Sequence, residues 1–431
     1  MQNNKLAIKG GTPVRNTPYP IHNTMLDYRE EELVLKVMRS GHLSGFSGRP
    51  GQRFLGGPMV RQFENDIQEY FKIKHAVSFN SASTTLQGMI SSIGVGPGDE
   101  VIVTPFTMMA TSTAIVLQNA IPVFADIEDE TFGLDPNSVR EKITSNTKAI
   151  LTVNLFGHSS KLTELKSIAR EHNLFLLEDN AQSPGAICQH RLTGTIGDIG
   201  ALSFNYHKVI QTGEGGMALT NNDDLAEHMR LVRNHGEAVV GLTEDLDQGM
   251  LPNMVGSNYR MTEIQAAIGI PQLSKLDFLN TCRVRLASLL TEQLSDCEFL
   301  TLPETRQGDS HVYYQYPMRF HKDAIGISRT SFVSAMQGEG ISISEGYVRP
   351  IYLEPMYQNM MGYGEAGCPF RCPMYSGEVD YSKGLCPTAE RIHFEEIITT
   401  DICKYPNTEH EVFEFVKAAK KIYANVSQLW E

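Results

Sequence analysis

Between residues 76 and 220 the chain alternates short apolar runs with helical stretches, and this alternation constrains the fold more than any other feature. The runs cover 76–79, 100–104, 122–125, 149–155, 174–177, 201–204 and 217–220. Strand and helix in alternation over this length predict an α/β fold, with a mostly parallel seven-stranded sheet covered by helices on both faces. Helical patterns over 29–40 and 58–71 precede the sheet, with a glycine-rich loop, 41–57, between them, and further helices over 223–234 and 262–274 close it. A smaller C-terminal α+β domain is expected from about residue 276, with strand character near 311–320 and a final amphipathic helix over 409–424. The expected division is therefore 1–275, a large ligand-binding domain with an N-terminal arm, and 276–431. A chain of 431 residues with 41% hydrophobic content can bury a core large enough for both. The stretch 362–384, rich in Pro, Gly and Cys, is the least regular and reads as a surface loop.

Charge narrows the partners. A net charge of −13 argues against nucleic acid and against an anionic membrane surface. A phosphorylated ligand must then be held by local donors. The polar start, Met1 to Lys5, lacks the apolar core of a signal peptide, and no run approaches transmembrane length, so a soluble cytoplasmic protein is expected. Seven cysteines scattered through a long chain make no disulfide framework. Cys368, Cys372 and Cys386 with His393 match no common zinc spacing, and no metal is expected.

Two residues carry the chemistry. Lys208 follows the apolar run 199–204 and precedes a glycine cluster at 213–216. Lysine amines form Schiff bases with carbonyls and with pyridoxal phosphate once burial or neighbouring cations lower their pKa. Most lysines in such loops are solvated, so Lys208 alone carries little weight. Upstream, the run that starts at Leu174 ends in Asp179, a carboxylate at the C-terminal end of a strand, where open α/β sheets place ligand-contacting groups. A helix N-cap is the ordinary use of such an aspartate. Asp179 followed 29 residues later by Lys208, with Ser203 at a strand end between them, is a constellation that suits pyridoxal phosphate, whose pyridine nitrogen needs an acid partner.

These residues lie among longer matching segments: 96–103, 121–127, Glu178 to Ser183, 197–204, Lys208 with 213–216, 233–236, 256–267 and 386–391. In this order they resemble the DegT/StrS-type sugar aminotransferases, a family of fold-type I pyridoxal phosphate enzymes. The resemblance implies that Lys208 is the Schiff-base lysine and Asp179 the partner of the pyridine nitrogen, with Gln182 also at the cofactor. It places the phosphate at the run Asn80 to Leu86, where a strand enters a helix; Ala82 and Ser83 stand where relatives carry Gly-Thr, keeping the hydroxyl and losing the glycine. Ser203 resembles the family's second phosphate-contacting hydroxyl. Asn258 resembles the asparagine that reaches the phosphate from the neighbouring subunit, so a homodimer with shared sites is implied.

The chain departs from the family pattern at two points. Met108 stands where relatives stack an aromatic on the cofactor ring, with Phe106 as its competitor; the polarisable sulfur of methionine can cover a ring. Asn154 stands where many relatives have histidine facing the substrate pocket. Some relatives replace the Schiff-base lysine with histidine and act as sugar dehydratases, and this chain has His207 beside Lys208. Counting five residues back from Gly213 gives Lys208, which favours transamination. The expected reaction moves an amino group from glutamate or glutamine to a keto sugar or keto-cyclitol. The loop 45–57 and the segment 347–355 are implied in binding the acceptor, and Arg260 in supporting the second subunit's contribution. The termini look closer to the cyclitol branch than to short nucleotide-sugar members. The alternatives are dehydration, or a cofactor-binding regulatory protein without turnover.

Overall fold

The computed structural model describes residues 5–21, 25–48, 52–236, 254–365 and 367–430. Residues 49–51 of the glycine-rich loop lie outside this set.

Seven strands form the large sheet: β1 (His75–Phe79), β2 (Glu100–Val103), β3 (Ile121–Phe124), β4 (Thr147–Val153), β5 (Phe175–Asp179), β8 (Ile199–Ser203) and β9 (Gly216–Thr220), the short hairpin of β6 (Ile187–Cys188) and β7 (Arg191–Leu192) lying outside it. Their order is β1-β9-β8-β5-β4-β2-β3. Pairing is parallel from β8 through β5, β4 and β2 to β3, while β9 runs antiparallel to both β8 and β1. The sheet is thus mostly parallel, as the alternation predicts.

Side chains on a strand alternate between faces, and here both faces are buried. Val101, Val103, Ala149, Leu151 and Leu177 belong to one apolar cluster, whereas Ile102, Ile150 and Leu176, the residues between them, belong to another. At roughly 25 cal/mol for each Å² of apolar surface buried, two such layers dominate the stability of this half of the molecule.

A second sheet, in the order β10-β11-β13-β12, comprises β10 (Leu300–Thr301), β11 (Tyr316–Phe320), β12 (Ser344–Glu345) and β13 (Ile397–Thr400), all antiparallel. It packs with the helices Leu276–Leu294, Arg329–Gly338 and Glu409–Ala424 around a separate core. The last helix begins at Thr408, which accepts from His410 N–H in a capping box with Glu411. The N-terminal arm joins this second core: Leu6 is buried in it, and the Glu339 carboxylate accepts from the N–H groups of Ala7 and Val14. Conversely, Ile351, Tyr352, Tyr357, Phe370 and Tyr381 insert into the first core.

The stretch 362–384 is the irregular, mostly exposed surface segment expected of its composition, held down by two buried aromatics. Phe370 and Tyr381 lie with their ring centroids 5.7 Å and 5.1 Å from that of Tyr357, and Tyr381 is 5.6 Å from Phe124. Its irregular backbone stays largely exposed, and these two aromatic anchors pin it to the first core.

Candidate active site

Parallel strands β4, β5 and β8 end side by side, and β5 delivers Glu178 and Asp179 at its last two positions. Alternation sends the two carboxylates to opposite faces. Glu178 Oε1 accepts from the N–H groups of Ile196 and Gly197, and its Oε2 from Gly194 N–H and Asn154 Nδ2. The three main-chain donors fix the loop that leads into β8, and Asn154 ties it to the end of β4. Asn154 is spent in the same network: Nδ2 also donates to Asn180 Oδ1 at 2.9 Å, and Oδ1 accepts from Ser160 N–H. The side chain is fully buried, so the position where relatives have a pocket histidine is here part of the scaffold.

Asp179 has a different environment. Its Oδ2 accepts from Thr111 Oγ1 at 2.9 Å and its Oδ1 from Ala181 N–H at 3.1 Å. Burial raises its pKa above the usual carboxylate range, opposed by these two bonds and by the charge of Lys208. Among the described residues no cationic side chain forms an ion pair with it.

Lys208 is buried, while its neighbours Tyr206 and His207 are exposed. Its Nζ lies 4.7 Å from the centroid of the Tyr314 ring. Burial, opposed by the Asp179 carboxylate and assisted by the charge of Lys404, lowers the amine's pKa to about 8. About a tenth of the amine is therefore neutral and nucleophilic at pH 7, far more than for an ordinary lysine.

Gln182 is held at both ends: Phe156 N–H donates to its Oε1 at 2.9 Å, and its Nε2 donates to Tyr347 Oη at 2.8 Å. Burial lifts the Tyr347 phenol to about 12, so it remains a neutral hydroxyl. Its ring packs edge-on to Phe156 and Phe106, at 4.8 Å and 5.5 Å. Phe106 is wholly buried in this aromatic group, whereas Met108 is 62% exposed. Of the two candidates for covering a ligand ring, Met108 is the one with a free face.

The run after β1 enters the helix Ala82–Ser92, capped by Ser81, whose Oγ accepts from Thr84 N–H. Ser83 is exposed on its first turn, where main-chain N–H groups lack helical partners. Ser203 is brought to the same place by register. It pairs across the sheet with Gly216, and a Cβ at Gly216 would lie 2.3 Å from Thr85 Oγ1 and 2.5 Å from the Ser81 carbonyl oxygen. Only glycine lets the helix start approach β9 so closely.

Asn258 is exposed, and its carbonyl lies 3.4 Å from Asn80 Nδ2 of the same chain. Its side-chain oxygen accepts from Arg260 Nε at 2.9 Å, and Arg260 Nη1 reaches Asn234 Oδ1. Arg260 is thus a local brace for this segment.

A cleft of about 510 Å³ lies between the helix Tyr28–Ser40, the glycine-rich loop and Glu263, with Lys36, Arg53 and Arg61 among its lining residues. Neither Lys208 nor Asp179 borders it, so this cleft and the titratable pair are separate features. Among the described residues no group of three or more His, Cys, Asp or Glu side chains could hold a metal ion. Cys368 and Cys372 face each other, while Cys386 is buried in the first core.

Sequence reasoning missed Thr111, Tyr314 and Lys404, which touch or face the central pair. No spacing marks them, because each arrives from a different part of the chain. It also passed over Ser81, whose signal, a serine at the start of a helix, was present in the run read for Ala82 and Ser83.

The residues fit pyridoxal phosphate: a buried amine of lowered pKa, a buried carboxylate without an ion-pair partner among the described residues, and a helix start beside a serine. The family profile for DegT/DnrJ/EryC1/StrS aminotransferases matches residues 49–398. The chain is 34% identical over 342 residues to the GDP-perosamine synthase of Caulobacter vibrioides, covering 78% of this chain and 85% of that one. It is 31% identical over 442 residues to the L-glutamine:2-deoxy-scyllo-inosose aminotransferase of Streptoalloteichus tenebrarius, covering 98% and 99%. An aminotransferase structure from Psychrobacter cryohalolentis superposes with a TM-score of 0.81 at 27% identity, over 95% of this chain and 99% of that one. The architecture is that of fold-type I pyridoxal phosphate enzymes, a large mostly parallel sheet with a smaller C-terminal part. The profile spans most of the chain and the relatives agree with it, so this protein belongs to the DegT/DnrJ/EryC1/StrS aminotransferase family.

Proposed function

We propose that this chain transfers an amino group from glutamine or glutamate to a keto-cyclitol, with Lys208 and Asp179 as its catalytic residues. The observation that carries the catalytic part is the buried Lys208 amine, lowered to about 8 beside the Asp179 carboxylate. The acceptor class is supported by one cyclitol aminotransferase that aligns over 98% of the chain, against 78% for the nucleotide-sugar enzyme, while a second of the same activity aligns over 83%. A keto sugar linked to a nucleotide is the second reading, supported by that relative's comparable identity.

Pyridoxal 5′-phosphate, when bound, supplies a carbonyl for an amine and a ring that accepts an electron pair. Lys208 Nζ offers the neutral amine and, once free again, takes and returns the proton that moves during transfer. Asp179 holds the pyridine nitrogen protonated, with Thr111 fixing its orientation. Ser203, Ser83 and the main chain around Ala82 hold the phosphate, Gln182 positions the ring edge, and Met108 covers the ring face. Asn258 of a second subunit completes the cradle, so the working unit is a homodimer. A division near residue 275 serves this reading, since Tyr314, Tyr347 and Lys404 then come from the small unit to a site on the large one.

Dehydration is disfavoured, because His207 is exposed while Lys208 is buried. A regulatory protein without turnover has no need of a lowered amine pKa. The test loads the protein with pyridoxamine 5′-phosphate and offers keto-inositols and nucleotide-linked keto sugars, with aminated product read by mass. Amination of the cyclitols alone is expected. Amination of the nucleotide sugars alone would replace the acceptor, and no amination of either would overturn the proposal.

A further inference from the structure

The ring of Tyr314 is shared by two lysines. Lys208 Nζ is 4.7 Å from its centroid and Lys404 Nζ is 5.6 Å from it, so the two nitrogens are no more than about 10 Å apart. Lys404 belongs to the turn after β13, closed by its N–H on the Asp401 carbonyl and by Asn407 N–H on its own. Its side chain is 14% exposed, and its Nζ is paired with Asp401 Oδ2 at 2.5 Å. Tyr314 is fixed in turn by Arg283, whose Nη1 donates to the carbonyls of Tyr313 and Tyr314 at 3.1 Å each. The ring and both ammonium groups are therefore held by the fold, and two like charges in a poorly solvated region disfavour one another.

We propose that Lys404 is a positioning residue for Lys208: its charge, presented across the Tyr314 ring, biases Lys208 toward the neutral amine that attacks a carbonyl. The inference rests on the reading of Lys208 given above. Other groups act on this amine from each packed element. Asp179 on β5 favours the ammonium form, and burial opposes it. Tyr314 and Tyr347 are held as neutral phenols by burial. On Lys208's own segment, the His207 imidazole is depressed first by burial and then by Lys208 and Lys404, which leaves it neutral. Burial lowers the Lys404 pKa below the usual lysine value, Arg283 adds to this, and the ion pair with Asp401 opposes it by stabilising the ammonium. Among the described residues, Lys404 is the cation that shares the Tyr314 ring with Lys208. The consequence is that the C-terminal segment, by placing a charge rather than by touching substrate, tunes a catalytic amine on the large sheet.

The experiment uses the cofactor-free full chain and measures the pH dependence of acylation of Lys208 by acetic anhydride, read by peptide mass. Lys404→Met should shift the labelling midpoint upward by about half a unit or more, while Lys404→Arg, which keeps the charge, should restore it. Tyr314→Phe keeps the ring and should leave the midpoint in place. An unchanged midpoint in Lys404→Met, with Lys404→Arg folded and equal to it, would overturn the proposal. Should Lys404→Met fail to fold, wild type supplies the measurement: the Lys208 curve must carry an inflection where Lys404 itself titrates, and a curve with one inflection sinks the idea. The labelling reports protonation whether or not Lys208 binds the cofactor; borohydride trapping of pyridoxal phosphate on the Lys208 peptide tests that separately.

Discussion

Thr111 Oγ1 donates to Asp179 Oδ2 across 2.9 Å of buried space. A hydrogen bond to a charged group is worth about 1.5–3 kcal/mol, and here it favours the ionised carboxylate that burial disfavours. Thr111→Val should therefore slow turnover about 10- to 100-fold with the fold intact. Thr111→Ser keeps the hydroxyl and should retain most of the rate. Equal rates for Thr111→Val and wild type, in single-turnover measurements, would remove Thr111 from the mechanism.

Asp179→Asn should act more strongly and in kcat. If the carboxylate stabilises charge that develops during proton transfer, its loss costs more in the transition state than in the ground state. The expected outcome is a cofactor dissociation constant changed only a few-fold, with turnover reduced by about 100-fold or more. Parallel loss of both would mean that Asp179 serves binding alone.

The buried pair His158 and His311 sets an acid limit on stability. Their rings lie 5.3 Å apart, His158 Nδ1 donates to the Ser159 carbonyl, and Tyr313 N–H donates to His311 Nδ1. Both imidazoles are thus neutral, and burial holds His158 at about 4 and His311 well below its ordinary value. With the folded pKa below the unfolded one, the unfolded chain binds more protons between the two. Stability is then fully present above about pH 6.5 and falls as pH drops towards 4, by on the order of 3 kcal/mol for His158. Urea unfolding at pH 7 and pH 5 measures this, and His158→Gln should flatten the dependence. Identical slopes in the two proteins would place the acid sensitivity elsewhere.

The sheet was legible because its strands are uninterrupted apolar runs, as strands buried on both faces must be. Asp179 stood out because it ends such a run, and Lys208 because it lies between the run that ends at Ser203 and a glycine cluster. Tyr381 and Phe370 were hidden for the opposite reason: they anchor a segment whose Pro, Gly and Cys content signals a loop, and burial by isolated aromatics leaves no period to read. Lys404 and Tyr314 were equally hidden, since a cation beside a ring is a relation between distant parts of the chain. Counting from Gly213 favours Lys208 over His207, and in the structure the His207 side chain is exposed while that of Lys208 is buried.

Arg233, from the segment 233–236, is wholly buried and donates through Nη1 to Glu64 Oε1 at 2.7 Å. Glu64 Oε1 also accepts from Ser78 N–H and Ser78 Oγ, which ties the helix Pro58–Phe71 to β1. Removing one charge from such a pair leaves the other unpaired, at a cost of about 3–5 kcal/mol. Glu64→Gln should lower the unfolding free energy by that amount in denaturant titration, whereas breaking the exposed pair Arg140 and Glu171 should cost under about 1 kcal/mol. Equal, small effects would mean that the buried pair is relaxed by water.

Assembly gives the last prediction. If Asn258 completes the phosphate cradle of the opposite subunit, each site draws Lys208 from one chain and Asn258 from the other. Lys208→Ala and Asn258→Ala homodimers should then both be impaired, the first completely. When the two are mixed, one site of each mixed dimer carries both defects and the other carries neither. With random exchange half of the dimers are mixed, so activity should return to about a quarter of the wild-type value. The alternative geometry predicts otherwise: Asn258 already touches Asn80 of its own chain through its carbonyl, and if it serves its own site each mixed dimer holds one defect per site and nothing is recovered. Subunit exchange followed by native mass spectrometry, with activity read on the same samples, separates the two outcomes.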